Sequence, residues 1–220
     1  MNLYPTILTD SIDKVQEQVN LVRDVDAVKV VQVDIIDGFF ADNLTVTPLD
    51  LLAVNFGRLK IDFHLMTNEP MDFVLEAESI KEKLKIRAVI AQLERMSYPI
   101  DYLRQLKDLN WQAGLSLDLY TPVEAIEEEL WPELDIVQVL GVKAGAQGQD
   151  FQLKALDKIK EINAKNPELK KELEIIVDGG VKLSNARQII RAGATGLAVG
   201  SELWQAKNIK KVIEKYFNIL

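Results

Sequence analysis

The sequence predicts an α/β protein, a (β/α)8 barrel, and three observations carry the prediction. Short β-branched or apolar runs alternate with amphipathic stretches along the whole chain. Eight such runs can be placed, and most are followed by a helical pattern. The polar residues that interrupt the runs fall toward their C-terminal ends, where such barrels gather chemistry. A strand followed by a helix implies parallel pairing, because the connection must cross over the sheet. An open doubly wound sheet would call for a glycine-rich dinucleotide loop after the first strand, and none follows Leu8. No Pro/Gly-rich linker divides the chain, so residues 1–220 are expected to form one barrel domain.

Each element has its own signal. Leu3–Leu8 reads as the first strand, and Asp10 or Ser11 can cap a helix carrying Val15, Val19 and Val22. Val28–Ile36 and Leu59–His64 are the second and third strands, and Pro70 stands where a helix can begin. Ile86–Ile90 is the fourth strand, followed by a helix over Pro99–Leu109 with Ile100, Leu103 and Leu106 on one side. Ala113–Leu117 is the fifth, and Thr121-Pro122 reads as the start of another helix. Ile136–Leu140 is the sixth. A helical stripe follows in Phe151, Ala155, Leu156, Ile159 and Ile162, then the polar connector 163–173. Leu173–Val177 is the seventh strand, and Ser184 opens a helix behind it. Thr195–Val199 is the eighth, followed by a short helix at Glu202–Gln205 and a last helix marked by Ile209, Val212, Ile213 and Tyr216.

Composition narrows the function. Hydrophobic residues make up 48% and charged residues 27%, the mixture of an ordinary globular protein. No stretch approaches the roughly 18 apolar residues of a membrane span, and the first residues lack the basic-then-apolar pattern of a secretory leader. The absence of cysteine excludes disulfides, thiolate catalysis and thiolate metal sites, and fits a cytoplasmic protein. The net charge is -8 with no basic stripe, so neither a nucleic-acid nor a membrane partner is expected. An anionic ligand would have to be held locally, by backbone N–H groups, a lysine or a metal.

The residues that stand out sit in or after the strands. Gln32 and Asp34 are two apart in VVQVDII and share a strand face, as do Asp62 and His64 in the third strand. Asp178 ends the seventh strand before Gly179 and Gly180. A carboxylate inside an apolar strand, such as Asp34, costs several kcal/mol unless it is paired or metal-bound. Asp37 before Gly38 suits an Asx turn, while Asp62 fits either a partner of the site or a charge lower in the barrel. Glycines follow strands six, seven and eight: Gly145 and Gly148, Gly179 and Gly180, and Gly200 with Ser201. Such loops offer backbone donors to a phosphate. Lys143, after strand six, could pair with a phosphate, replace a metal's charge, form a Schiff base or simply face solvent.

Six segments in this order resemble the ribulose-phosphate 3-epimerase family: YPTILT ending at Thr9, VDIIDGFFADN at 33–43, DFHLM at 62–66, GVKAGAQGQDF at 141–151, VDGGV at 177–181 and GATGLAVGSELW at 193–204. The resemblance implies a TIM barrel of the ribulose-phosphate-binding type. It implies interconversion of D-ribulose 5-phosphate and D-xylulose 5-phosphate by two-base proton transfer at C3, with Asp34 and Asp178 as the bases. It implies a divalent ion (zinc, iron, manganese or cobalt) on Asp34, His64, Asp178 and, where the family has a second histidine, Gln32. Thr9, His64, Gly145, Gly148, Gly179, Gly180, Gly200 and Ser201 would hold the phosphorylated sugar, and a homo-oligomer is implied. The histidine found in the family after strand four is absent from RAVIAQLE, and Asp118 replaces an asparagine after strand five. These departures leave two alternatives: a related phosphosugar epimerase, isomerase or lyase with another substrate, or a sugar-phosphate-binding protein without turnover.

Overall fold

The computed structural model describes residues 2–145, 148–165, 169 and 172–219. Eight parallel strands close into a barrel in chain order: β1 (Asn2–Ile7), β2 (Val30–Ile36), β3 (Lys60–Met66), β4 (Ile86–Gln92), β5 (Gln112–Leu117), β6 (Ile136–Leu140), β7 (Glu174–Asp178) and β8 (Gly196–Val199), with β8 pairing back onto β1. The expected (β/α)8 fold is present. Helices α1 (Ile12–Val22), α2 (Met71–Ser79), α3 (Pro99–Asp108), α4 (Ala155–Lys165), α5 (Leu183–Ala192), α6 (Ser201–Trp204) and α7 (Ile209–Phe217) surround it. Among the described residues no helix is long and apolar enough to cross a membrane.

Strand alternation builds two cores. Val31, Val33 and Ile35 of β2 face outward into the larger core, which also holds helix residues such as Val15, Val19, Tyr102 and Leu103. Inside, Tyr4, Val30, Ala88, Ile90, Ile136, Ile176 and Ala198 form a separate apolar layer. Below it, toward the strand N-termini, Arg87 donates to both carboxylate oxygens of Asp62 and reaches Glu174 at 3.0 Å. The β3–β4 register shifts between Ile61 and Asp62, so Arg87 is left over between the paired residues Ile86 and Ala88. Such an extra residue re-aims its side chain, and here it meets Asp62. Asp62 therefore belongs to the lower barrel and not to the end where Asp34 and Asp178 lie.

The helices follow their local signals. Ser11 caps α1 by accepting from Lys14 N, and Asn208 caps α7 by accepting from Lys211 N. Gly193 closes α5 with φ 118°, a conformation that favours glycine.

Two sequence expectations are corrected. Thr121-Pro122 opens no long helix: only the 3-10 turns Val123–Ala125 and Trp131–Glu133 form before β6. Pro132, and the like charges of Glu124 with Glu127 and Glu128 three and four residues on, oppose a continuous helix there. Phe151 also lies before α4, which starts at Ala155. Its backbone and ring pack against Gly141 and Gly180, where an added Cβ would lie 2.4 Å from Phe151 Cδ2 and 2.5 Å from Phe151 N. Part of the expected connector 163–173 lies outside the described residues.

Candidate active site

From β2 to β7 the inward positions nearest the strand C-termini are polar. Gln32 and Asp34 come from β2, His64 from β3, Gln92 from β4, Ser116 from β5, Gln138 from β6 and Asp178 from β7, and all are buried. Register sets their neighbours: Asp34 pairs with His64, Gln92 with Ser116, and Ser116 with Gln138. Burying this many polar groups in one layer opposes folding unless they satisfy one another or a ligand.

They largely satisfy one another. His64 Nδ1 lies 3.1 Å from Asp34 Oδ1 and 3.4 Å from Asp178 Oδ2. Gln32 Nε2 donates to Asp34 Oδ1 at 2.9 Å and to Asp178 Oδ2 at 2.6 Å. Gln138 Nε2 adds a bond to Asp178 Oδ2 at 3.2 Å. The exceptions are the amide oxygens of Gln32, Gln92 and Gln138, buried and without partners.

Burial raises the pKa of Asp34, helped by the neighbouring charge of Asp178 and opposed by bonds from His64 and Gln32. For His64, burial alone would lower the pKa. The bonds and charges of Asp178 and Asp34 outweigh it and push the imidazole up to about 9.

One ligand atom each from Asp34, His64 and Asp178 lies within 4.8 Å of the others, a spacing that can hold a metal ion. Two carboxylates and an imidazole suit zinc or its neighbours. The set is complete without Gln32, which stands beside it and presents its amide nitrogen to the two carboxylates.

A cavity opens over this layer. Its lining includes Thr6, Leu8, Asp34, His64 and Asp178 below, and Gly145, Gly148, Gly179, Gly180, Gly200 and Ser201 around the mouth. Gly179 and Gly180 take φ 90° and 70°, which turns the chain sharply after β7. Gly145 and Gly148 line the cavity, and the residues between them lie outside the described ones.

Thr9 stands away from this lining: its Oγ1 accepts from Ser11 N at 3.2 Å, and Thr6 and Leu8 occupy the wall on that side. Lys143 is exposed on the rim, between this cavity and a shallower one that also borders Glu94, Arg95 and Asp118. Asp37 makes an Asx turn, its Oδ1 accepting from Phe39 N and Phe40 N.

Sequence reasoning missed Thr6, Gln92, Ser116 and Gln138. The signal was present in Gln138, whose VQV repeats the VQV around Gln32.

Comparison with known proteins agrees with this arrangement. Residues 2–204 match the ribulose-phosphate 3 epimerase family. The chain is 34% identical over 188 residues to the ribulose-phosphate 3-epimerase of Bacillus subtilis, covering 84% of each chain. It is 33% identical over 211 residues to the chloroplastic ribulose-5-phosphate-3-epimerase of Arabidopsis thaliana, covering 96% of this chain and 74% of that one. A crystal structure of 3-hexulose-6-phosphate synthase superposes with a TM-score of 0.68 over all of both chains at 14% identity, which speaks for the fold alone. The match spans every strand of the barrel and keeps Asp34, His64 and Asp178 together, and the chain belongs to the ribulose-phosphate 3-epimerase family.

Proposed function

We propose that the chain interconverts D-ribulose 5-phosphate and D-xylulose 5-phosphate by proton transfer at C3. The observation that carries this reading is the pair of buried carboxylates, Asp34 and Asp178, facing one cavity from β2 and β7 with His64 between them. One carboxylate takes the C3 proton from one face of the carbon, and the other returns a proton to the opposite face. Inversion needs both. Gln32 and Gln138 hold the Asp178 carboxylate in place through Oδ2.

Asp34, His64 and Asp178 would hold a divalent ion such as zinc, iron, manganese or cobalt. Gln32 supports the two carboxylates, and its unpartnered oxygen is available as a fourth ligand after a half-turn of the amide. When bound, the ion would stabilise the negative charge that develops on the substrate oxygens as the C3 proton leaves.

The phosphate would lie against the backbone of Gly179, Gly180, Gly200 and Ser201, with Gly145 and Gly148 completing the lining. In this pose the charged end of the sugar would lie at the mouth and its reacting carbon over the carboxylates.

The test is direct conversion. Purified protein given D-ribulose 5-phosphate and each candidate ion in turn is expected to form D-xylulose 5-phosphate. Binding of the sugar phosphate without product under all of these conditions contradicts the proposal and supports the binding-only alternative.

A further inference from the structure

His64 is the one histidine of the chain, and both of its ring nitrogens have buried partners. Nδ1 faces the carboxylates, while Nε2 lies 2.9 Å from Gln92 Nε2. The same Gln92 nitrogen donates to Ser116 Oγ at 3.0 Å. Gln92 and Ser116 are register partners, and neither exposes any surface.

In the neutral ring, with the amide turned this way, its N–H meets a lone pair on Nε2 and the single ring proton sits on Nδ1. Gln92 Oε1 is then buried without a partner. A primary amide keeps nearly the same shape after a half-turn about its last bond. Turned over, Gln92 Oε1 can accept from both His64 Nε2–H and Ser116 Oγ–H. Nδ1 is then free to point a bare lone pair between Asp34 and Asp178. That is the form in which imidazole binds a cation, and a partner on the other ring nitrogen fixes it. An apolar residue at position 92 would fill the same space but could serve neither form.

We propose that Gln92, anchored by Ser116, is a positioning residue for His64. Its amide donates to Nε2 when Nδ1 carries the ring proton and accepts from Nε2–H when Nδ1 holds a cation. The inference deepens the metal-binding part of the proposed function and rests on it.

A single histidine makes the test clean, because protein labelled with 15N-histidine shows one imidazole. In wild-type protein saturated with Zn²⁺, Nδ1 is expected to shift on binding and Nε2 to show a slowly exchanging one-bond N–H doublet. Gln92→Leu is expected to raise the Zn²⁺ Kd about 10- to 100-fold and to lose the doublet to fast exchange. Gln92→Glu keeps only the accepting role and is expected to restore the doublet. A Gln92→Leu protein with unchanged Kd and unchanged ring signals overturns the inference. If wild-type Nδ1 fails to respond to Zn²⁺, the metal reading fails on its own. The metal-free proteins then decide the positioning role, because a Nε2 signal identical in wild type and Gln92→Leu overturns that as well.

Discussion

Asp34 on β2 and His64 on β3 are partners in the parallel ladder, and their side chains meet at 3.1 Å between Oδ1 and Nδ1. Register alone brings them together: a slip of one residue would turn either side chain out toward the helices. Asp178 reaches the same point from β7. Asp34→Asn and Asp178→Asn each remove one base while keeping shape. Each is expected to lower kcat for epimerisation by about 10²- to 10⁴-fold. A loss of less than about tenfold in either variant, measured at saturating substrate, contradicts its role.

His64 links the site to stability. Its pKa is pushed up to about 9 in the folded protein, against 6.5 for an ordinary imidazole. The folded state therefore holds this proton more tightly than the unfolded chain. The resulting stabilisation is fully present below about pH 6.5 and is lost as pH rises through about 9. The urea midpoint of the metal-free wild type is expected to fall across that window more steeply than that of His64→Asn. Parallel profiles for the two proteins contradict the assignment.

At the opposite end of the barrel, Arg87 is the cation that Asp62 and Glu174 share. Asp62 is fully buried, and burial raises its pKa while Arg87 opposes the rise. Removing Arg87 leaves that carboxyl without its partner. Arg87→Ala is expected to destabilise the protein by about 3–5 kcal/mol in denaturant unfolding. A cost below about 1 kcal/mol would show that the network is dispensable.

The turn after β7 should be intolerant of a side chain. Gly180 has φ 70°, and an added Cβ would lie 2.5 Å from Phe151 N. Gly180→Ala is expected to shift this segment away from the cavity and to raise KM for the sugar phosphate about tenfold or more, equivalent to about 1.4 kcal/mol. An unchanged KM argues against a phosphate seat at this turn.

The central residues of the site were legible for one reason. A charged group inside an apolar strand is conspicuous, and Asp34, His64 and Asp178 each interrupt such a run. The neutral members of the same layer are quieter. Gln92 falls two residues beyond Ile90, where the sequence pattern ends β4, and its strand character is clear only from pairing with Ser116. Alternation reveals which face a residue occupies but not its height in the barrel. Asp62 therefore reads like His64 although it lies in the layer below. The inward turn of Arg87 depends on a register shift between two strands, which no local pattern encodes. Phe151 continues the helical spacing of Ala155 and Ile159, yet it lies before the helix and packs against Gly141 and Gly180.

Hydrogen exchange at C3 separates two-carboxylate epimerisation from every other use of this site. D-ribulose 5-phosphate incubated with the metal-supplemented wild type in D2O is followed by NMR. Two-base transfer predicts that D-xylulose 5-phosphate forms with solvent deuterium at C3, and that neither Asp34→Asn nor Asp178→Asn sustains this conversion. Product that retains its original C3 hydrogen, or no exchange at C3 with bound substrate, would contradict the two-carboxylate mechanism.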